Sequence, residues 1–161
     1  MAYGFHLGMA AALLGLSMAV PASAQDKPYN HEARLKGFFD RVDADHDGTI
    51  SAAEAEQYMA AYFDRLDTDQ DGTLTLDEYL APLHRAHDRA GERRRPGLEK
   101  ALQRAEEDFK ALDKTGTGAG TGHVDKATYL AASRAKFVET DKDHTGTLTL
   151  EQLRAARGHA F

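Results

Sequence analysis

DADHDGTISAAE, residues 43–54, is the stretch on which the reading of this chain turns. Acids stand at Asp43, Asp45 and Asp47, Gly48 follows, and Glu54 closes the run. A hard divalent cation such as Ca²⁺ takes roughly six to eight oxygens, which a loop of about twelve residues can supply from positions 1, 3, 5, 7, 9 and 12. Position 6 needs glycine for a sharp turn, position 7 offers its backbone carbonyl, and position 12 needs a Glu long enough to coordinate with both oxygens. Asp43, Asp45, Asp47, Thr49, Ser51 and Glu54 meet each requirement, and Ile50 at position 8 is the apolar residue that bridges to a partner loop.

The pattern returns as DTDQDGTLTLDE at residues 67–78, with Asp67, Asp69, Asp71, Thr73, Thr75 and Glu78 in the ligand positions and Gly72 at the turn. An acidic surface turn rich in helix-capping residues could imitate one copy. Two complete copies, each flanked by helical periodicity, argue against that. These residues resemble the loops of the EF-hand family, the calmodulin superfamily, and the resemblance extends over most of the chain after residue 24. It implies an all-α fold of helix-loop-helix repeats with Ca²⁺ as the bound ion.

Phe-x-x-x-Asp measures out the repeat: Phe39 and Asp43, Phe63 and Asp67, Phe109 and Asp113, Phe137 and Asp141. Each copy closes an amphipathic stretch. Leu35, Phe38, Phe39 and Val42 share one helical face, as do Met59, Tyr62, Phe63 and Leu66, and Leu102, Ala105, Phe109 and Leu112 approximate it. These aromatics are expected to be core. The plan is helix, loop, helix in four copies, two intact and two degenerate. Residues 31–90 carry the intact pair of loops and residues 97–158 the degenerate pair, within a domain spanning 25–161.

The fourth loop, 141–152, keeps Asp141, Asp143 and Gly146 with Leu148 at position 8, and Thr147 at position 7. Position 5 is Thr145 and position 12 is Gln152, which offers one oxygen and no charge. Weak or no binding is expected there. The third loop starts with Asp113, Thr115 and Thr117, and residues 118–121 read as a four-residue insertion before Gly122, which puts position 12 on Thr128. It is expected to be an inert partner for a working loop.

Asp43 and Asp67 are 24 positions apart, and no Gly or Pro falls between Ala52 and Leu66. One helix of about 22 Å would fill that gap and hold loops one and two at opposite ends. The long connection from Glu78 to Asp113 would then let loop two pair with loop three. Gly91 and Pro96-Gly97 divide that connection into helices near 77–90 and 97–112, and residues 116–122 read as loop.

Residues 7–20 form an uncharged apolar run, too short to span a bilayer, followed by Pro21 and the small-x-small pattern Ala22-Ser23-Ala24. This reads as an export signal (1–24) cleaved before Gln25, although the segment before the run lacks Lys and Arg. The product is expected in the periplasm or outside the cell, soluble and without stable membrane insertion.

The 161 residues contain no cysteine and carry a formal net charge of −6, so disulfides, thiolate metal sites and cysteine nucleophiles are excluded and nucleic acid is not an expected partner. Arg85, Arg89, Arg93, Arg94, Arg95, Lys100 and Arg104 make the central connection basic. They read either as a solvated helix pair with local Glu partners or as a docking surface for an acidic protein or an anionic membrane. His84 and His87 lack an evident third ligand for zinc. No phosphate loop, nucleophile elbow or metalloprotease helix is present, so an enzyme is not expected. Three roles stay open: sensor, buffer, or a module whose fold calcium completes, with a protein partner in the sensor or adaptor case. Only Met59 survives cleavage at residue 24, which argues against a methionine-lined sensor groove.

Overall fold

The computed structural model of this chain describes residues 31–90, 95–115 and 119–158. The expected export signal, Gly91, Arg93, Arg94 and residues 116–118 lie outside them. Six helices and four short strands follow in the order α1 (His31–Val42), β1 (Ile50–Ser51), α2 (Ala52–Leu66), β2 (Thr73–Thr75), α3 (Leu76–Asp88), α4 (Arg95–Leu112), β3 (His123–Asp125), α5 (Lys126–Thr140), β4 (Thr147–Leu148) and α6 (Leu150–Gly158).

The helix boundaries are written into the loops. Ser51 caps α2 and Thr75 caps α3, each side chain accepting the N–H of the Glu three residues on, while that Glu accepts the cap's own N–H. Such a box satisfies two of the donors that a helix N-terminus leaves unpaired. At the other end, Asp43, Asp67, Asp113 and Asp141 each donate their N–H to the carbonyl of the Phe four residues before, at 2.8–2.9 Å. The Phe-x-x-x-Asp ruler is therefore the last helical hydrogen bond before each loop. All four Phe are buried.

Ala52–Leu66 is a single helix, as its lack of Gly and Pro suggests, and it holds loops one and two at opposite ends. α4 begins at Arg95, two residues before the expected start, because Pro96 falls in the first turn, where its missing N–H deprives the helix of nothing. α3 ends at Asp88 and continues through Pro82 in its interior.

Strand pairing follows from that geometry. β2 pairs antiparallel with β3, setting Leu74 opposite Val124, so loop two meets loop three as the spacing suggests. β1 pairs antiparallel with β4, setting Ile50 opposite Leu148, so loop one meets loop four. Loop-one-to-loop-four pairing is not legible in the spacing. α2 and α5 lie antiparallel between the two pairs, tied by Lys126 to Asp64 at one end and by Arg134 to Glu56 (2.8 Å) at the other.

Each loop pair sits over its own apolar cluster. Met59, Phe63 and Leu66 of α2 pack with Leu74, Tyr79, Phe109, Val124 and Tyr129 under loops two and three. Leu35, Phe38 and Phe39 of α1 pack with Ile50, Phe137, Leu148 and Leu153 under loops one and four. Both clusters draw residues from 31–90 and from 97–158. Ring pairs Phe63–Tyr129 and Tyr79–Phe109, each 5.5 Å between centroids, reinforce the first, and Phe38–Tyr58 at 5.6 Å the second.

Candidate metal centre

Loops one and two have the same internal geometry. Asp43 and Asp67 are 4 % and 8 % exposed, far too buried for a carboxylate without partners. In loop one, Asp43 Oδ1 accepts from Asp47 N (3.1 Å) and Oδ2 from Gly48 N (3.1 Å). In loop two, Asp67 accepts from Asp71 N (3.2 Å) and Gly72 N (3.0 Å) in the same way. Asp47 Oδ1 takes the N–H and hydroxyl of Thr49, and Asp71 those of Thr73.

The chain turns back through left-handed residues at positions 4 and 6: His46 (φ 60°) and Gly48 (φ 86°), then Gln70 (φ 60°) and Gly72 (φ 82°). Glycine takes that conformation without the steric penalty a Cβ brings. His46 and His144, both at position 4, have exposed side chains.

Position 12 closes each loop. Glu54 Oε2 accepts Ser51 N and Oγ at 2.8 Å, while Oε1 reaches back to Ala44 N at 2.7 Å. Glu78 does likewise, Oε2 on Thr75 and Oε1 on Thr68 N (2.9 Å). Backbone and hydroxyl donors from Ser51 lower the Glu54 carboxyl below its usual range. Burial works against ionisation of Glu78, but donors from Thr75 and Thr68 outweigh it and hold that carboxyl at about 2. The carboxylate oxygens of Asp43, Asp45 and Asp47 lie within 4.8 Å of one another, and those of Asp67, Asp69 and Asp71 do the same. Three acids held so close repel one another unless a cation sits among them.

Residues 35–56 and 59–83 match the EF-hand family model. No curated protein matches the chain. With the helices and paired loops above, the fold is all-α and of EF-hand type. The matches and the two aspartate triads support an EF-hand calcium-binding protein, in a fold class that is typically non-enzymatic. Among the described residues these triads are the groups of three or more metal-competent side chains, and no described helix is long and apolar enough to cross a membrane. His84 and His87 belong to no such group; His87 instead lies 3.8 Å from Glu99 of α4.

The two matched stretches end within α3, so the remaining hands rest on geometry. Loop four keeps the frame: Asp141 accepts from Thr145 N (3.1 Å) and Gly146 N (2.8 Å), with His144 (φ 55°) and Gly146 (φ 77°) left-handed. Loop three keeps it too, but in a register that corrects the one expected from the sequence. Gly120 and Gly122, both at φ 80°, hold positions 4 and 6, and Gly122 N donates to Asp113 Oδ1 at 3.0 Å. The four extra residues therefore fall before Gly120, and Thr121 stands at position 5 where Thr117 was expected. Asp125 caps α5, its carboxylate accepting Thr128 N (2.8 Å) and Oγ1 (2.9 Å). The acid and the hydroxyl have exchanged places relative to the intact loops, which leaves a short hydroxyl at position 12.

Sequence reasoning missed the side-chain contacts inside loop four, where Gln152 Nε2 donates to Asp143 Oδ1 at 2.9 Å. The signal available was that Thr145 and Gln152 both carry hydrogen-bond donors where an intact loop has acids.

Proposed function

We propose that the chain binds Ca²⁺ at loops 43–54 and 67–78 and works as an exported calcium-stabilised or calcium-buffering protein. The ligands are Asp43, Asp45, Asp47, Thr49, Ser51 and Glu54 in the first loop, and Asp67, Asp69, Asp71, Thr73, Thr75 and Glu78 in the second. The observation that carries the reading is the pair of aspartate triads, each in a loop closed by a Glu that bonds the cap residue through one oxygen and the residue after the first Asp through the other. Export rests on the apolar run and the small-residue pattern at 22–24.

A static role is favoured over opening because α2 belongs to both sites at once. Its first turn carries Glu54, its C-cap is Asp67, and both ends are pinned to α5. Swinging it away from one loop would disturb both apolar clusters. Met59 is 2 % exposed and so offers almost no surface to a target, although it borders an apolar groove. A second reading, a calcium-dependent adaptor, draws on an apolar groove under loops one and four lined by Phe38, Val42, Tyr58, Phe137 and Leu153.

Thermal unfolding with increasing Ca²⁺, run beside an apolar-surface dye, separates these readings. Mass action stabilises by about 2.7 kcal/mol when free ion is about a hundred times Kd, so Tm rises with Ca²⁺. The static role expects that rise with unchanged dye fluorescence. Fluorescence that grows with Ca²⁺ would favour the adaptor, and a Tm indifferent to Ca²⁺ would contradict both.

A further inference from the structure

In loop four, Thr145 Oγ1 lies 3.4 Å from Asp141 Oδ1, 3.1 Å from Asp143 Oδ1 and 3.2 Å from the carbonyl oxygen of Thr147. Those oxygens stand at positions 1, 3 and 7, the places from which an intact loop feeds a cation. Gln152 Nε2 reaches the same Asp143 oxygen from position 12. The Gln152 amide can face only one way: its Oε1 accepts Thr149 N (2.8 Å) and Oγ1 (3.2 Å), which turns its NH₂ toward the loop interior. Loop one has acids, Asp47 and Glu54, at these two positions and so has no side-chain donor to offer there. Otherwise the two loops share one backbone path and one strand pair.

We infer that loop four is a metal-free template for loop one: Thr145 and Gln152 supply hydrogens where an intact loop needs a cation. These two thereby position loop one for calcium without touching the ion. The inference rests on the calcium reading of loop one. Two N–H or O–H donors directed at carboxylate oxygens neutralise part of the repulsion that otherwise demands a metal. Loop four can then hold β4 in place before any ion arrives, and β4 holds Ile50 and Ser51 of loop one through the Leu148 and Thr147 pairing. Thr145 and Gln152 are positioning residues. It follows that loop one binds without a metal-binding partner, so its isotherm is simple rather than steep.

Amide NMR during Ca²⁺ titration of the full chain tests this, because the position-6 glycines Gly48, Gly72 and Gly146 each report one loop. Wild type is expected to show shifts saturating at Gly48 and Gly72, with Gly146 indifferent at the concentrations that fill them. Gln152→Ala is expected to weaken the Gly48 affinity about two- to tenfold, the equivalent of one net hydrogen bond, and leave the Gly72 affinity unchanged. Thr145→Asp combined with Gln152→Glu is expected to make Gly146 saturate too, with Gly48 and Gly146 now titrating together and more steeply. Three results would overturn the inference while leaving calcium binding intact. They are Gly146 saturating with Gly48 in wild type, a Gly48 affinity untouched by Gln152→Ala or weakened equally with that of Gly72, and a double variant that gains no site. Indifference of both Gly48 and Gly72 in wild type would overturn the calcium reading itself.

Discussion

Asp108 is the residue whose chemistry fits its surroundings least. It lies on the core-facing side of α4 beside Ala105 and Phe109, is 8 % exposed, and its Oδ2 has no hydrogen-bond partner. Burial pushes its carboxyl up to about 6, Glu107 pushes the same way, and Arg104 and Lys136 pull it back; Tyr79 across the interface is raised by its own burial first and by the Asp108 charge second. An acid with a raised folded pKa favours the fold fully below its unfolded value of 3.8, and that contribution fades as pH climbs through about 6. Asp108→Asn is therefore expected to gain about 1–2 kcal/mol at pH 7 and almost nothing at pH 4, read as the difference between variant and wild-type urea midpoints across that window. Glu78 has the opposite sign. Its depressed carboxyl favours the fold above 4.5 and loses that effect only as pH falls toward about 2, so subtracting wild type isolates Asp108.

At the scale of the element, α2 decides the architecture. Phe63 is fully buried under loop two, and truncating such a side chain removes transfer energy and leaves a cavity. Phe63→Ala is expected to lower unfolding free energy by about 3–5 kcal/mol, measured by denaturant titration with Ca²⁺ absent. The ion pairs that tie α2 to α5 are exposed at both partners, so Arg134→Ala should leave the unfolding midpoint almost unchanged, and the small difference should shrink further in high salt. Apolar contact holds the two helices together; the charges fix their register. Much of this element was legible. The absence of Gly and Pro and the Phe63–Asp67 spacing mark the length and the end of α2 in the sequence alone, whereas the Ser51–Glu54 box that sets its start came with the structure.

For the whole molecule, legibility follows the range of the interaction. The intact loops read out directly because every requirement of the cage is a local residue choice, and loop two's pairing follows from one uninterrupted helix. Loop one's pairing does not, because it depends on where α5 carries loop four. In loop three the sequence places glycine at 116, 118, 120 and 122, and any of them could take a left-handed turn. The left-handed turn at Gly120, with its N–H on the Asp113 carbonyl, fixes the register together with the bond from Gly122 to the Asp113 side chain. The bonds inside loop four are likewise a matter of side-chain direction, which residue identity alone leaves open. What emerges is a molecule with one intact and one degenerate loop at each end of an antiparallel helix pair, which places the two candidate calcium sites in different loop pairs.

That arrangement is tested most directly by calorimetric Ca²⁺ titration of the chelator-stripped protein beside Glu54→Gln and Glu78→Gln. Two sites are expected in the parent, each variant losing one and leaving the other's affinity within about twofold, since sites in separate pairs couple weakly. Both sites vanishing together in either variant, three or more sites in the parent, or no binding heat at several temperatures would contradict it.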